Sequence, residues 1–241
     1  MPAGPGRVIA LEGGSASGKT SLVRVASRAL GWTPLWEAFD RLDPAPSLEF
    51  ASPSELLRIE GSLLAEETRR FREAMKAVRA GTTVLADTGF LGPVTYTWGL
   101  AQLGRVPRTA WSAVERSARS LLRRGALGLP ELTVYLDTTA RERTERAAAD
   151  RGKHPAVLAP RHERVGAVER PLFRRWFPEQ LPTRFAAIPG HATPQELVEP
   201  LRAIVARIRP RPATPADALS VLAVLDRVAV PAGRTPARPN R

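Results

Sequence analysis

A chain of 241 residues with 43% hydrophobic residues has room for one large domain with a proper buried core. The absence of cysteine excludes disulfides, thiolate metal sites and cysteine nucleophiles, and no apolar run reaches the 18 residues of a membrane-spanning helix. The formal net charge of +12 fits either a polyanionic partner or Arg-rich solvated faces; with 6% aromatic residues and no Arg/aromatic alternation, solvated faces are expected and nucleic acid is not expected as a partner.

Taken in chain order, Met-Pro-Ala-Gly-Pro-Gly lacks the apolar segment of a signal peptide; the absence of cysteine together with the nucleotide loop that follows makes a cytoplasmic protein the expectation. Arg7 to Leu11 contains a short apolar run that reads as a buried strand. After it comes Gly13-Gly14-Ser15-Ala16-Ser17-Gly18-Lys19-Thr20, which fits the phosphate-binding pattern G-x-x-x-x-G-K-[ST]. Backbone N–H groups in such a loop curl around an anion. Lys19 is expected to reach the β- and γ-phosphates, and the Thr20 hydroxyl to hold Mg²⁺; the donor-binding set runs from Gly13 to Ser21. Only 3 of the 36 basic Lys and Arg residues are Lys, and one stands where a compact ammonium is wanted.

A second strand is expected at Thr33–Trp36 and a long helix at Glu55–Ala80, ended by Gly81. Thr83–Ala86 is the third strand and runs into Asp87. A helical pair, the second begun by Pro107, reaches Arg124. The fourth strand is Leu132–Leu136, ending at Asp137, which before Thr138-Thr139 and a helix is expected as a helix cap rather than a site residue. Helix is expected at Arg141–Arg151 and Glu163–Phe177, a fifth strand at Phe185–Ile188, and a closing helix at Pro194–Ile208. The alternation predicts an α/β fold of the P-loop type, with five parallel strands and helices on both faces. Residues 1–208 form the expected domain. Residues 209–241 form a Pro/Arg-rich tail, in which 215–230 has one apolar helical face and either docks or stays a marginal helix. The tryptophans are expected in the core, and three scattered histidines argue for no metal site.

The stretch Leu11-Glu12-Gly13 through Thr20 resembles the phosphate loop of the thymidylate kinase and deoxynucleoside kinase group. Arg79 to Asp87, Leu132 to Asp137 and Arg161 to Phe177 are similar to further segments of that group, so the resemblance covers about residues 6–208. It implies a kinase using ATP and Mg²⁺, with a nucleoside or nucleoside monophosphate as small-molecule acceptor. It implies that Tyr96 lies beside the acceptor, and that Arg143, Arg146 and Arg151 lead into a lid holding Gly152, Lys153 and His154. The group places Arg, or Glu-Arg-Ser, at the end of the third strand, whereas this chain has Asp87-Thr88-Gly89-Phe90. A monophosphate acceptor would then need Arg69 or Arg70 as a substitute, and a nucleoside or another hydroxyl compound fits without one.

Phosphoryl transfer needs held phosphates, Mg²⁺, positive charge around the moving group and an in-line nucleophile, helped by a carboxylate to take the hydroxyl proton. Glu37 is the candidate base and Asp40 its alternate; Asp87, at a strand end beside the crevice, is expected to order Mg²⁺-bound water or touch the acceptor. The rival readings are a kinase for a non-nucleotide hydroxyl compound, such as an antibiotic or biosynthetic intermediate, and a nucleotide-binding regulatory module with little turnover. No N-K-x-D segment supports a GTPase. The state of assembly is open, a homodimer included.

Overall fold

The computed structural model describes residues 6–46, 50–149, 160–208 and 212–228. The strands β1 (Val8–Glu12), β2 (Thr33–Leu35), β3 (Val84–Asp87), β4 (Leu132–Asp137) and β5 (Phe185–Pro189) form one sheet of order β2-β3-β1-β4-β5. Every pair is parallel, as expected of strands linked by helical crossovers. The register places Leu11 beside both Asp87 and Val134, so the ends of β1 and β3 meet alongside β4 where the phosphate loop leaves β1.

The period of two divides the core. Ile9, Leu11, Leu85, Val134 and Leu136 face α1 (Lys19–Leu30) and α9 (Val198–Arg207). Val8, Ala10, Val84, Ala86 and Tyr135 belong to the larger cluster on the opposite side. That side carries α3 (Pro53–Arg79), α4 (Gly92–Gln102), α5 (Arg108–Arg123), α8 (Phe177–Gln180) and α10 (Pro215–Arg227). Both faces are covered, so β1, β3 and β4 read as nearly continuous apolar runs.

Local chemistry sets several boundaries. Ser52 caps α3, its hydroxyl accepting from the Glu55 N–H at 3.2 Å, and Pro53 opens the helix at a position that needs no N–H. The strand expected at Thr33–Trp36 stops at Leu35, because Ala38–Arg41 forms a short helix, α2. The closing helix starts at Val198, later than expected, after a turn in which Thr193 and Glu196 bond each other's backbone N–H. The helix expected over Glu163–Phe177 begins at Pro160 as α7 (Pro160–Pro171). It passes through a π-helical turn at Leu172–Trp176 and ends in α8. Pro171 has no N–H to donate, which accounts for the ladder being re-spaced there.

Helix α10 is docked. Ala218, Val221, Leu222, Val224 and Leu225 lie within the main core cluster, and the Trp98 indole N–H donates to the Leu225 carbonyl at 3.0 Å. Thr214 and Asp217 form a capping box at its start, and Asp217 also accepts from Arg184 at 2.8 Å. Trp98 and Trp111 are buried in the core as expected.

Candidate active site

The phosphate loop needs backbone shapes that side chains oppose. Gly13 has φ +148°, and a Cβ there would lie 2.9 Å from the Leu136 carbonyl oxygen; Gly18, with φ +98°, turns the chain into α1. Ala16 adopts φ 61° without being glycine, and the Ser17 N–H donates to the Gly14 carbonyl at 3.1 Å to close the turn. Lys19 is the first residue of α1; its ammonium donates to the carbonyls of Gly13 at 2.8 Å and Gly14 at 3.3 Å. Thr20 and Ser21 are exposed on the same first turn, beside half-buried Ser15. The Ser17 hydroxyl is fully buried and has no hydrogen-bond partner.

Two arginines of α6 (Ala140–Ala149) lie against this loop. Arg143 is buried, donates to the Thr138 carbonyl at 2.8 Å, and lies where a Cβ on Gly14 would come within 3.0 Å of its Nε. Arg146 donates to the Ser17 carbonyl at 2.7 Å and to the Gly190 carbonyl, so it joins the phosphate loop to the turn after β5. Arg151 and the loop beyond it fall outside the described residues. Asp137, expected as a cap, instead pairs with Arg170 at 2.7 Å and Arg174 at 2.8 Å, and the Arg170 hydrogen bond holds its carboxyl below the usual range. The capping is done by Thr139 and Glu142.

Asp87 ends β3 fully buried, and neither of its carboxylate oxygens has a hydrogen-bond partner. The next residue, Thr88, holds φ 67°, costly for a β-branched side chain. Four hydrogen bonds at and beside this residue fix the turn. The Thr88 N–H donates to the Leu11 carbonyl at 3.1 Å; Arg70 donates to the Asp87 carbonyl at 2.7 Å and the Thr88 carbonyl at 3.3 Å; and the Gly89 N–H donates to Glu12 at 2.8 Å.

Arg70 is therefore engaged in a way the sequence did not suggest. Fully buried, it spends its guanidinium on those carbonyls and on Glu67 at 2.6 Å, with the Phe90 ring 5.6 Å away. Arg69 points outward to Glu66 at 3.1 Å. The Arg70 Nε alone of that guanidinium has no hydrogen-bond partner, and Thr88 stands where the resembled kinases carry Arg.

Around Lys19 and Asp87 the charges are mostly acidic. Burial pushes the Glu37 carboxyl up to about 7; Lys19 pulls it down, while Asp87 and Asp40 push it up further. Asp40, on α2 and partly buried at its carboxyl, is raised by that burial and by Asp87. Glu12 is raised by burial, against its Gly89 hydrogen bond and the pull of Lys19 and Arg70. Glu67 is raised to about 7 by burial, and Glu169 of α7 to about 8 by burial and the charge of Glu12. Glu169 bonds Thr95 of α4, and Glu60 of α3, raised by burial to about 8, bonds Thr97. Tyr96, between those threonines, packs with Leu56, Leu100 and Val165. Among the described residues, no group of three or more His, Asp or Glu is arranged to hold a metal ion by protein atoms alone.

The structure thus brings together Lys19, Glu37, Asp40 and Asp87 at the strand ends, with Thr20 on the adjoining turn. Glu12, Glu60, Glu67 and Glu169 were not singled out from sequence. The legible signal was Glu60 and Glu67, seven residues apart on the inner stripe of a long helix where apolar residues are the rule.

No family model matches the chain, and no curated protein matches it in sequence. Solved structures do match in shape. Deoxyadenosine kinase from M. mycoides with bound dATP superposes with a TM-score of 0.67 at 13% identity, covering 83% of this chain and 99% of that one. The same kinase with products dCMP and a flexible dCDP gives 0.60 at 13% identity, and with bound dCTP 0.56 at 12%; each covers 83% of this chain and 100% of the other. The fold is that of the P-loop deoxynucleoside kinases.

Proposed function

We propose that this chain is an ATP- and Mg²⁺-dependent phosphotransferase that moves the γ-phosphoryl group onto a hydroxyl of a small acceptor. The observation that carries the reading is Glu37, a carboxyl that burial pushes up to about 7 and that feels the charges of both Lys19 and Asp87, where the phosphate loop opens. A base whose pKa lies near the working pH combines a useful fraction of the ionised form with real proton affinity.

The residues present fit the donor. Gly13 and Gly18 give the loop its curl, and the partnerless Ser17 hydroxyl is buried within it. The Lys19 ammonium transfers from the Gly13 carbonyl to the phosphates. The Thr20 hydroxyl and the partnerless oxygens of Asp87 suit Mg²⁺ and its water shell. When bound, Mg²⁺ neutralises charge on the phosphate oxygens. Arg143 and Arg146 hold the loop in shape from the side of β5. Glu37 takes the proton of the acceptor hydroxyl; the hydroxyl oxygen bonds to the γ-phosphorus, the bond from that phosphorus to the bridging oxygen breaks, and its electron pair leaves with ADP. The likeness in fold to deoxyadenosine kinases supports an acceptor of nucleoside size.

The test is ADP release by the purified protein with Mg²⁺ and ATP, across nucleosides, nucleoside monophosphates and other hydroxyl compounds, beside Lys19→Ala. Release stimulated by an acceptor and lost in the variant supports the reading. ATP binding that is unchanged in Lys19→Ala overturns it.

A further inference from the structure

Left-handed backbone is used in two ways in this chain. Gly31, Gly81, Gly104 and Gly125, with φ between 65° and 81°, each stand just past the end of a helix, where glycine takes the shape at no steric cost. Among the described residues only Ala16 and Thr88 take such a φ with a side chain, at 61° and 67°. Ala16 lies in the phosphate loop, and Thr88 directly follows Asp87. The strain is therefore confined to the crevice, and at Thr88 it is greatest in kind, because the side chain branches at Cβ.

Such a shape persists only where the surroundings over-determine it. Here β1 and α3 do so together. The last two residues of β1 take the N–H groups: the Leu11 carbonyl accepts from Thr88 at 3.1 Å, and the Glu12 carboxylate accepts from Gly89 at 2.8 Å. Helix α3 takes the carbonyls through Arg70, which donates to Asp87 at 2.7 Å and to Thr88 at 3.3 Å. Arg70 is itself held, by the Glu67 carboxylate at 2.6 Å and by the Phe90 ring, whose centre is 5.6 Å away. A planar fork can meet a carboxylate with one nitrogen and two successive carbonyls with another; the compact ammonium of lysine cannot span all three. With its backbone fixed on both sides, Asp87 keeps two buried carboxylate oxygens that no protein group occupies.

Resting on the kinase reading above, we propose that Arg70 is a positioning residue: by holding Thr88 in its strained form it fixes the peptide that carries Asp87 and keeps both Asp87 oxygens available to Mg²⁺ and its water. The guanidinium that the resembled kinases carry at the strand end is here delivered from α3, and it goes to peptide carbonyls. Without Arg70, Thr88 relaxes toward ordinary backbone, and the Asp87 carboxylate turns with it. Glycine at 88 would hold the same φ without strain, so the Leu11 and Glu12 bonds alone would keep the turn.

The experiment compares Arg70→Lys, Thr88→Gly and the double variant with the unaltered full chain at pH 8, where the Glu67 carboxyl, raised to about 7, is ionised. Two quantities are read: protection of the 88 and 89 amides from hydrogen exchange in the free protein, and ATP affinity by calorimetry with Mg²⁺ and with EDTA. Arg70→Lys is expected to lower the protection and to cut the Mg²⁺-dependent gain in ATP affinity, each about tenfold, and to leave the affinity in EDTA unchanged. Adding Thr88→Gly is expected to restore both. A merely structural Arg70 would lower ATP affinity equally with and without Mg²⁺, and glycine would not mend it; either result overturns the proposal. Unchanged protection in Arg70→Lys overturns it too, as does an effect confined to the KM of an acceptor, which would make Arg70 an acceptor ligand. If Arg70→Lys fails to fold, Glu67→Gln, which loosens the anchor of Arg70, is read in its place: the same two losses support the proposal, and no change overturns it. The kinase reading falls separately, on ATP binding that does not depend on Lys19, and the exchange measurement then still decides whether Arg70 holds the turn.

Discussion

Arg184 and Asp217 meet as a buried ion pair at 2.8 Å, joining the start of β5 to the first turn of α10. Both side chains are almost wholly excluded from water, so removing one strands the other as an uncompensated charge. Asp217 also accepts from the Thr214 N–H at 2.9 Å in the capping box.

Asp217→Ala is therefore expected to cost about 3–5 kcal/mol of folding free energy, in the range for breaking a buried pair. Urea unfolding followed by circular dichroism checks it. A loss below about 1 kcal/mol would mean that α10 contributes little to the stability of the sheet.

The rate of phosphoryl transfer is expected to rise with pH through about 7, as Glu37 loses its proton. Glu37→Gln removes this step and lowers kcat on the order of a hundredfold or more. A pH–rate profile of kcat in the variant that keeps the same inflection would transfer the role of base to Asp40 or Asp87.

Stability carries its own pH signature. Glu60 titrates at about 8 in the fold, against an ordinary value of 4.5. A carboxyl raised in this way holds more protons folded than unfolded. Its contribution is full below the ordinary value and is lost as pH rises through about 8. Thermal unfolding between pH 5 and pH 8 should show Glu60→Gln gaining stability relative to the parent as pH increases. A constant difference across that range would count against the buried acid.

Arg146→Ala is expected to raise the KM for ATP about tenfold, because it cuts the tie between Ser17 and Gly190 and leaves two carbonyls without their donor. Steady-state kinetics in ATP, with the unfolding temperature as control, separate this from a general loss of structure.

Local signals made much of the fold legible. The phosphate loop is a contiguous run after an apolar strand, and the five strands alternate with helical stretches, so spacing alone places them. Asp87 and Glu37 were legible as strand-end residues of a parallel sheet. Arg70 was not, because its partners are carbonyls 17 and 18 residues away, and a carbonyl carries no mark in the sequence. The docking of α10 was open for the same reason: it depends on the Trp98 indole 127 residues away and on Arg184. Asp137 looked like a cap until the fold brought Arg170 and Arg174 to it.

Gly166 of α7 lies so close to the phosphate loop that a Cβ there would be 3.6 Å from the Cα of Gly14. Three residues on, the same helix carries Glu169. The phosphate loop and α7 therefore share a wall, and a change of loop shape on seating a ligand would be passed to the helix that carries Glu169. Such a linkage is reciprocal: whatever factor binding at the loop imposes on binding at α7, binding at α7 returns in full.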